Sequence, residues 1–144
     1  MESGKKNVAI ELQTVIEDDG EKEYSTTMHK GELRRAGHTD VLVYEEDAEG
    51  GKIRSMVTIK PDSVSIKRSG LVGMHQKFQL HAITENAFQH PHGMIHMETK
   101  TNRLNYESDS DIGRLEITYT VRLNGQEERS HILTLQYQEE ADAK

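Results

Sequence analysis

Two polar residues sit on otherwise apolar faces of this chain, and they are the ones whose types could do chemistry. In residues 64–80, VSIKRSGLVGMHQKFQL, period-2 alternation puts Arg68 on the face of Val64 and Ile66. It puts Gln76 among Val72, Met74, Phe78 and Leu80. A guanidinium turned toward an apolar face requires a carboxylate, because burying it unpaired is costly. Glu45 and Glu46 end a short strand and point to opposite faces, so one of them can turn inward. Arg68 then either makes a structural ion pair that closes one end of a barrel, or presents its planar fork to an anionic ligand head group. Thr99, Thr101, Tyr119, Tyr137 and His131 fall on apolar registers as well. Such hydroxyls and imidazoles can bond a ligand, ordered water or one another. The candidate interior set is therefore Arg68, Gln76, Phe78, Thr99, Thr101, Tyr119, Glu45 and Glu46.

Metal and catalytic readings are weaker. His90, His92 and His96 lie close together in QHPHGMIHM, with Met94 and Met97 among them. On an extended strand positions 90, 92, 94 and 96 would share a face, which makes a three-histidine or histidine–methionine site geometrically conceivable. Pro91 and Gly93 interrupt the strand there, and the face is the outer one, so the expectation is an exposed loop with no metal and no other cofactor. Glu17, Asp18 and Asp19 cluster at a turn. Ser63, Ser65, Ser69 and Ser130 lack any triad context, and neither a Gly-x-Ser-x-Gly elbow nor a phosphate loop is present. No cysteine is present, which removes disulfides, thiolate metal sites and cysteine nucleophiles. The sequence points away from an enzyme.

The elements that must position these residues are strands. Val8, Ile10, Leu12, Thr14 and Ile16 alternate with Ala9, Glu11, Gln13, Val15 and Glu17 before a turn at Asp19-Gly20. Residues 22–35 are polar but β-rich, which suggests an exposed or edge strand. Residues 41–46 make a short apolar strand, and Gly50-Gly51 and residues 60–63 make turns, the second initiated by Pro61. Residues 64–80 read as two strands hinged at Ser69-Gly70. Residues 85–89 make at most a short turn. Residues 93–103 alternate, and Leu104 and Tyr106 continue the structure into a polar loop at residues 107–111. The clearest hairpin pairs residues 114–123 with a strand carrying His131, Leu133, Leu135 and Tyr137, joined at Asn124-Gly125, a type I′ signal. No segment has a helical period. Eight to ten strands with short connections suit a single antiparallel meander over residues 1–144, with flexible ends at 1–6 and 139–144. Closing into a barrel hides the edges and leaves room for side chains or one small ligand.

Composition bounds the partners. Twenty-five acidic against 18 basic residues give a net charge of -7, and the basic residues are scattered apart from Lys5-Lys6, Arg34-Arg35 and Lys67-Arg68. A nucleic-acid binder concentrates basic residues on one face, so nucleic acid is not expected. The stretch Glu139-Glu140-Ala141-Asp142 is acidic. No window approaches the length of a membrane span and the first ten residues carry no signal-peptide pattern, so a soluble cytoplasmic protein is expected.

At this point a family resemblance enters. Residues 15–20 (VIEDDG), Tyr44-Glu45-Glu46, and Arg68-Ser69-Gly70 followed by Met74, Gln76 and Phe78 carry it, with Gly93, Glu98, Thr99, Gly113-Arg114 and Tyr119 completing the ordered set. On these the chain resembles the YwiB-like proteins, bacterial proteins with a calycin-type, lipocalin-like β-barrel, over about residues 15–137. The resemblance implies the barrel and a cytoplasmic setting, and it brings no activity and no catalytic residue. Two functions follow as expectations. One is a non-enzymatic barrel that binds a small molecule or peptide in its interior. The other is a filled barrel that binds a partner, or a second copy as a homodimer, through its outer wall or the edge at residues 24–31.

Overall fold

Alternation of apolar and polar residues builds ten antiparallel strands in a computed structural model that describes residues 4–140. The strands are β1 (Gly4–Asp18), β2 (Glu21–Ala36), β3 (Thr39–Ala48), β4 (Gly51–Ile59) and β5 (Ser63–Gly70). There follow β6 (Met74–Gln79), β7 (Ile83–His90), β8 (Gly93–Ser108), β9 (Ile112–Leu123) and β10 (Arg129–Glu139). They form one sheet in the order β6-β5-β4-β3-β2-β1-β10-β9-β8-β7, a meander in which β10 returns to pair with β1. The outer strands β6 and β7 then meet. Gly73 and Gln89 exchange backbone hydrogen bonds of 3.0 and 2.7 Å, and the His81 N–H donates to the Thr101 carbonyl at 2.9 Å. The sheet is thus a nearly closed barrel, and its core is one continuous cluster of inward side chains from nine of the strands.

Two turns carry their own explanation. Asp19-Gly20 and Asn124-Gly125 both take positive φ at both residues, which is what a two-residue type I′ hairpin demands. Gly31 acts differently. A Cβ there would overlap the Val43 carbonyl oxygen and lie 3.0 Å from Ile10 Cδ1. Glycine lets β2 and β3 close on each other where their ladder begins, at Gly31 opposite Tyr44.

One expectation is corrected, at β7. Residues 85–89 are not a turn but lie inside β7, paired with β8 from Ile83–Lys100 to His90–Gly93. The inward positions there are Ala82, Thr84, Asn86 and Phe88, mostly small or polar, so the alternation carries little hydrophobic contrast. β8 continues through Leu104 and Tyr106 as expected and runs on to Ser108. A bulge between Thr101 and Arg103 shifts the register, so inward positions pass from Met97, Thr99 and Thr101 to Leu104 and Tyr106. Near both ends the described residues are paired in the ladder. Gly4, Lys5 and Lys6 pair with Arg35, Arg34 and Leu33, and Glu139 pairs with Val8. Residues 1–3 and 141–144, including Ala141 and Asp142 of the acidic stretch, lie outside the described residues.

Candidate functional site

Arg68 closes β5 at one mouth of the barrel, opposite Ser55 of β4 and Met74 of β6. Its Nη2 lies 3.8 Å from Glu46 Oε1, with each side chain about a third exposed (34 % and 33 %). An ion pair so open to solvent contributes about 0–1 kcal/mol. Glu46 is thus the inward partner. Glu45, placed in the interior set above, is on the outer wall, where it is exposed and faces Arg54 across the ladder. The strand period allows only one of two adjacent residues to turn inward.

Beneath this pair the interior is packed. Phe78 is fully buried and meets Tyr119 edge to face at 4.7 Å, and Met74 and Met97 join the same cluster. Tyr119 in turn stacks on His131 at 5.0 Å. Burial pushes the Tyr119 hydroxyl pKa up, against a smaller opposing pull from Arg68. Burial, helped by the Arg129 charge, pushes His131 down to about 4, so the imidazole is neutral at pH 7. The buried hydroxyls of Ser55 and Thr101 have no hydrogen-bond partner. Grooves of about 590 and 560 Å³ lie on the outer wall.

Gln76 and Thr99 belong to the seam. Between β6 and the β7–β8 pair the backbone ladder is reduced to isolated bridges, and side chains supply hydrogen bonds instead. The Gln76 amide donates to Thr99 Oγ1 at 2.9 Å, both residues buried, and the Thr84 hydroxyl donates to the Lys77 carbonyl at 2.6 Å. An amide on an apolar face is explained by the barrel closure, where it satisfies a hydroxyl that no water reaches.

The opposite end holds a network that sequence reading missed apart from Tyr137. Tyr106 donates to Asp40 Oδ2 at 2.6 Å and lies 2.6 Å from the Tyr137 hydroxyl, which also accepts from Arg35 Nη2 at 2.9 Å. Arg35 Nε is 3.5 Å from Asp40 and its Nη2 donates to the Asp109 carbonyl at 2.6 Å. Burial, with the bond to Asp40, pushes the Tyr106 pKa well up. The signal was in the alternation: Arg35 shares a face with Leu33, and Asp40 with Leu42.

The histidine-rich stretch is a hairpin. Pro91 and His92 form the turn between β7 and β8, so His90, His92 and His96 are not on one strand. His96 Nε2 meets Glu85 Oε1 at 3.0 Å, and the His90 side chain lies outside the described residues. No group of three metal-ligating side chains occurs among the described residues.

The feature with the most open chemistry is an edge. β2 pairs with β1 from Asp18–Glu21 to Gly4–Arg35, but with β3 only from Gly31–Tyr44 to Ala36–Thr39. Among the described residues, 21–30 therefore have no strand on their second side, and β3 beyond Tyr44 pairs with β4 alone. On this free half Tyr24 is 73 % and Met28 66 % exposed. Tyr24 lies in a cross-strand row with Val15 of β1 and the exposed Ile132 of β10.

Comparison with known proteins agrees with the barrel. The chain is 28 % identical over 131 residues to the uncharacterized β-barrel protein YwiB of Bacillus subtilis (strain 168), covering 91 % of this chain and 92 % of that protein. The crystal structure of the ywiB protein from Bacillus subtilis superposes with a TM-score of 0.87 at 26 % identity, covering 95 % of this chain and 94 % of the other. Among the described residues no helix is long and apolar enough to cross a membrane. The sequence pattern of the domain of unknown function DUF1934 matches residues 10–135, and the chain belongs to that family.

Proposed function

We propose that this protein is a non-enzymatic interaction module, a filled barrel that docks an extended polypeptide segment along the free half of β2. The observation that carries the reading is the half-paired strand: ten consecutive residues with strand geometry, one satisfied side and one open side. An open edge offers backbone donors and acceptors for strand addition, and alternate side chains give it selectivity. Tyr24 and Met28 supply apolar anchors beside it. Natural edges are usually blunted by charge or proline, yet residues 24–28 carry neither.

The interior-ligand reading has a narrower basis. The unpartnered Ser55 and Thr101 hydroxyls favour a polar guest beside Arg68 and Tyr119. Against it, Arg68 already has Glu46, Gln76 already has Thr99, and Phe78, Met97 and Tyr119 occupy the space between. One buried water per hydroxyl would satisfy both without a ligand.

The test is selection of extended peptides from a display library, followed by amide chemical-shift mapping. Binders that shift residues 21–30, and that lose affinity in the Tyr24→Lys/Met28→Lys variant while its unfolding midpoint is unchanged, support the reading. Binders that map only to the Arg68 mouth overturn it.

A further inference from the structure

Resting on that reading of β2, we infer that its free half pairs antiparallel with β2 of a second copy, about a two-fold axis at Thr26. A two-fold axis perpendicular to a sheet keeps each residue on its own face, so a continuous antiparallel pair must set one residue opposite itself. Four placements pair most of residues 21–30, and an axis at Tyr24 sets that residue against itself and leaves Met28 uncovered. An axis at Ser25 puts Lys22 against Met28 and Tyr24 against Thr26 of the other copy. An axis at Thr27 puts Tyr24 against Lys30. The axis at Thr26 puts Tyr24 against Met28, and it does so twice.

That register also matches the rest of the strand. Glu23 meets His29, and Ser25 meets Thr27, again twice each by symmetry. Tyr24 and Met28 are the two large apolar residues that β2 leaves exposed, and this pairing covers both. Aromatic–apolar and hydroxyl pairs directly opposite each other are the units that stabilise antiparallel ladders. The one unfavourable pair is Lys22 with Lys30. Each already has an acid in its own chain: Lys22 faces Glu17 across the β1 ladder, and Lys30 Nζ lies 3.9 Å from Glu140. A second copy is favoured over an unrelated partner because one strand supplies both halves of every pair. Behind this ribbon, on the same face, Val15 and Ile132 continue the apolar row from Tyr24.

The chain has no cysteine, which makes the register directly readable. Thr26→Cys, Ser25→Cys and Thr27→Cys are prepared singly and oxidised mildly without denaturant, beside sedimentation of the unmodified protein. Directly opposite residues in an antiparallel pair lie within disulfide reach. The expected result is a dimer by sedimentation, with the T26C monomer band lost to a disulfide-linked dimer and the S25C and T27C bands retained. Tyr24→Lys/Met28→Lys should convert the dimer to monomer. A dimer that cross-links through S25C or T27C instead overturns the register. A monomer whose residues 21–30 exchange their amide protons quickly overturns the second copy while leaving the edge open for another chain. A monomer whose residues 21–30 are protected overturns both readings.

Discussion

Lowering the pH should destabilise this barrel through one residue, His131. The imidazole stacks on Tyr119 inside the wall, in a cross-strand row running Tyr119, His131, Ile16. Burial, with Arg129 adding to it, sets its pKa at about 4 against 6.5 for the ordinary group. Between those values the unfolded chain binds a proton that the folded chain excludes, so stability is full above about pH 6.5 and falls as the pH falls toward 4. Each pH step of one across that window is worth about 1.4 kcal/mol at most. For a ring that keeps partial solvent contact the loss between about pH 7 and pH 4.5 should be about 2 kcal/mol. To isolate the His131 contribution, wild type is compared with a variant that keeps the stack and cannot take up a proton. His131→Phe does this. Urea unfolding followed by far-UV circular dichroism across that range should show the wild type losing about 2 kcal/mol more than His131→Phe. Parallel stability curves for the two proteins would refute the assignment.

Two further perturbations test the packing. At Gly113 an added Cβ would overlap the Tyr137 ring, whose hydroxyl is held by Tyr106 and Arg35. Gly113→Ala should therefore cost about 2–3 kcal/mol in denaturant unfolding, and a loss within ±0.5 kcal/mol would show that the ring moves freely. Ser55 is fully buried with an unpartnered hydroxyl. Ser55→Ala should be neutral or stabilising by up to about 1 kcal/mol, whereas a loss above about 1 kcal/mol would reveal a buried water or ligand bound there.

How much of this was legible beforehand depended on contrast and on pairing. Strands such as β9, with Leu115, Ile117, Tyr119 and Val121 all buried against polar neighbours, announce themselves because the inner residues are large. β7 did not, because its inward residues are mostly small or polar. Arg68 and Gln76 were legible as polar residues on inner faces, and the inward turn of one glutamate followed from period 2. Their partners were not fixed by spacing. Gln76 finds Thr99 only because β6 and the β7–β8 pair meet at the seam. Arg35, Asp40, Tyr106 and Tyr137 lie on four different strands, so no local pattern joins them.

By itself the sequence determined the all-β class, the I′ hairpins at Asp19-Gly20 and Asn124-Gly125, and which residue of most pairs faces inward. Those are local matters, governed by backbone preference and by the two-residue period of a strand. The tertiary structure alone decided which partners Arg68 and Gln76 meet. Whether Arg68 faces a carboxylate or a ligand depends on which strands flank it, and β3 and β5 both flank β4, bringing Glu46 within 3.8 Å. It also decided that residues 21–30 are an edge. The exposed polar pattern of that segment suits an outer ribbon equally well with or without a neighbour. Only the point where β3 parts from β2, at Gly31 and Tyr44, leaves one side of it unpaired.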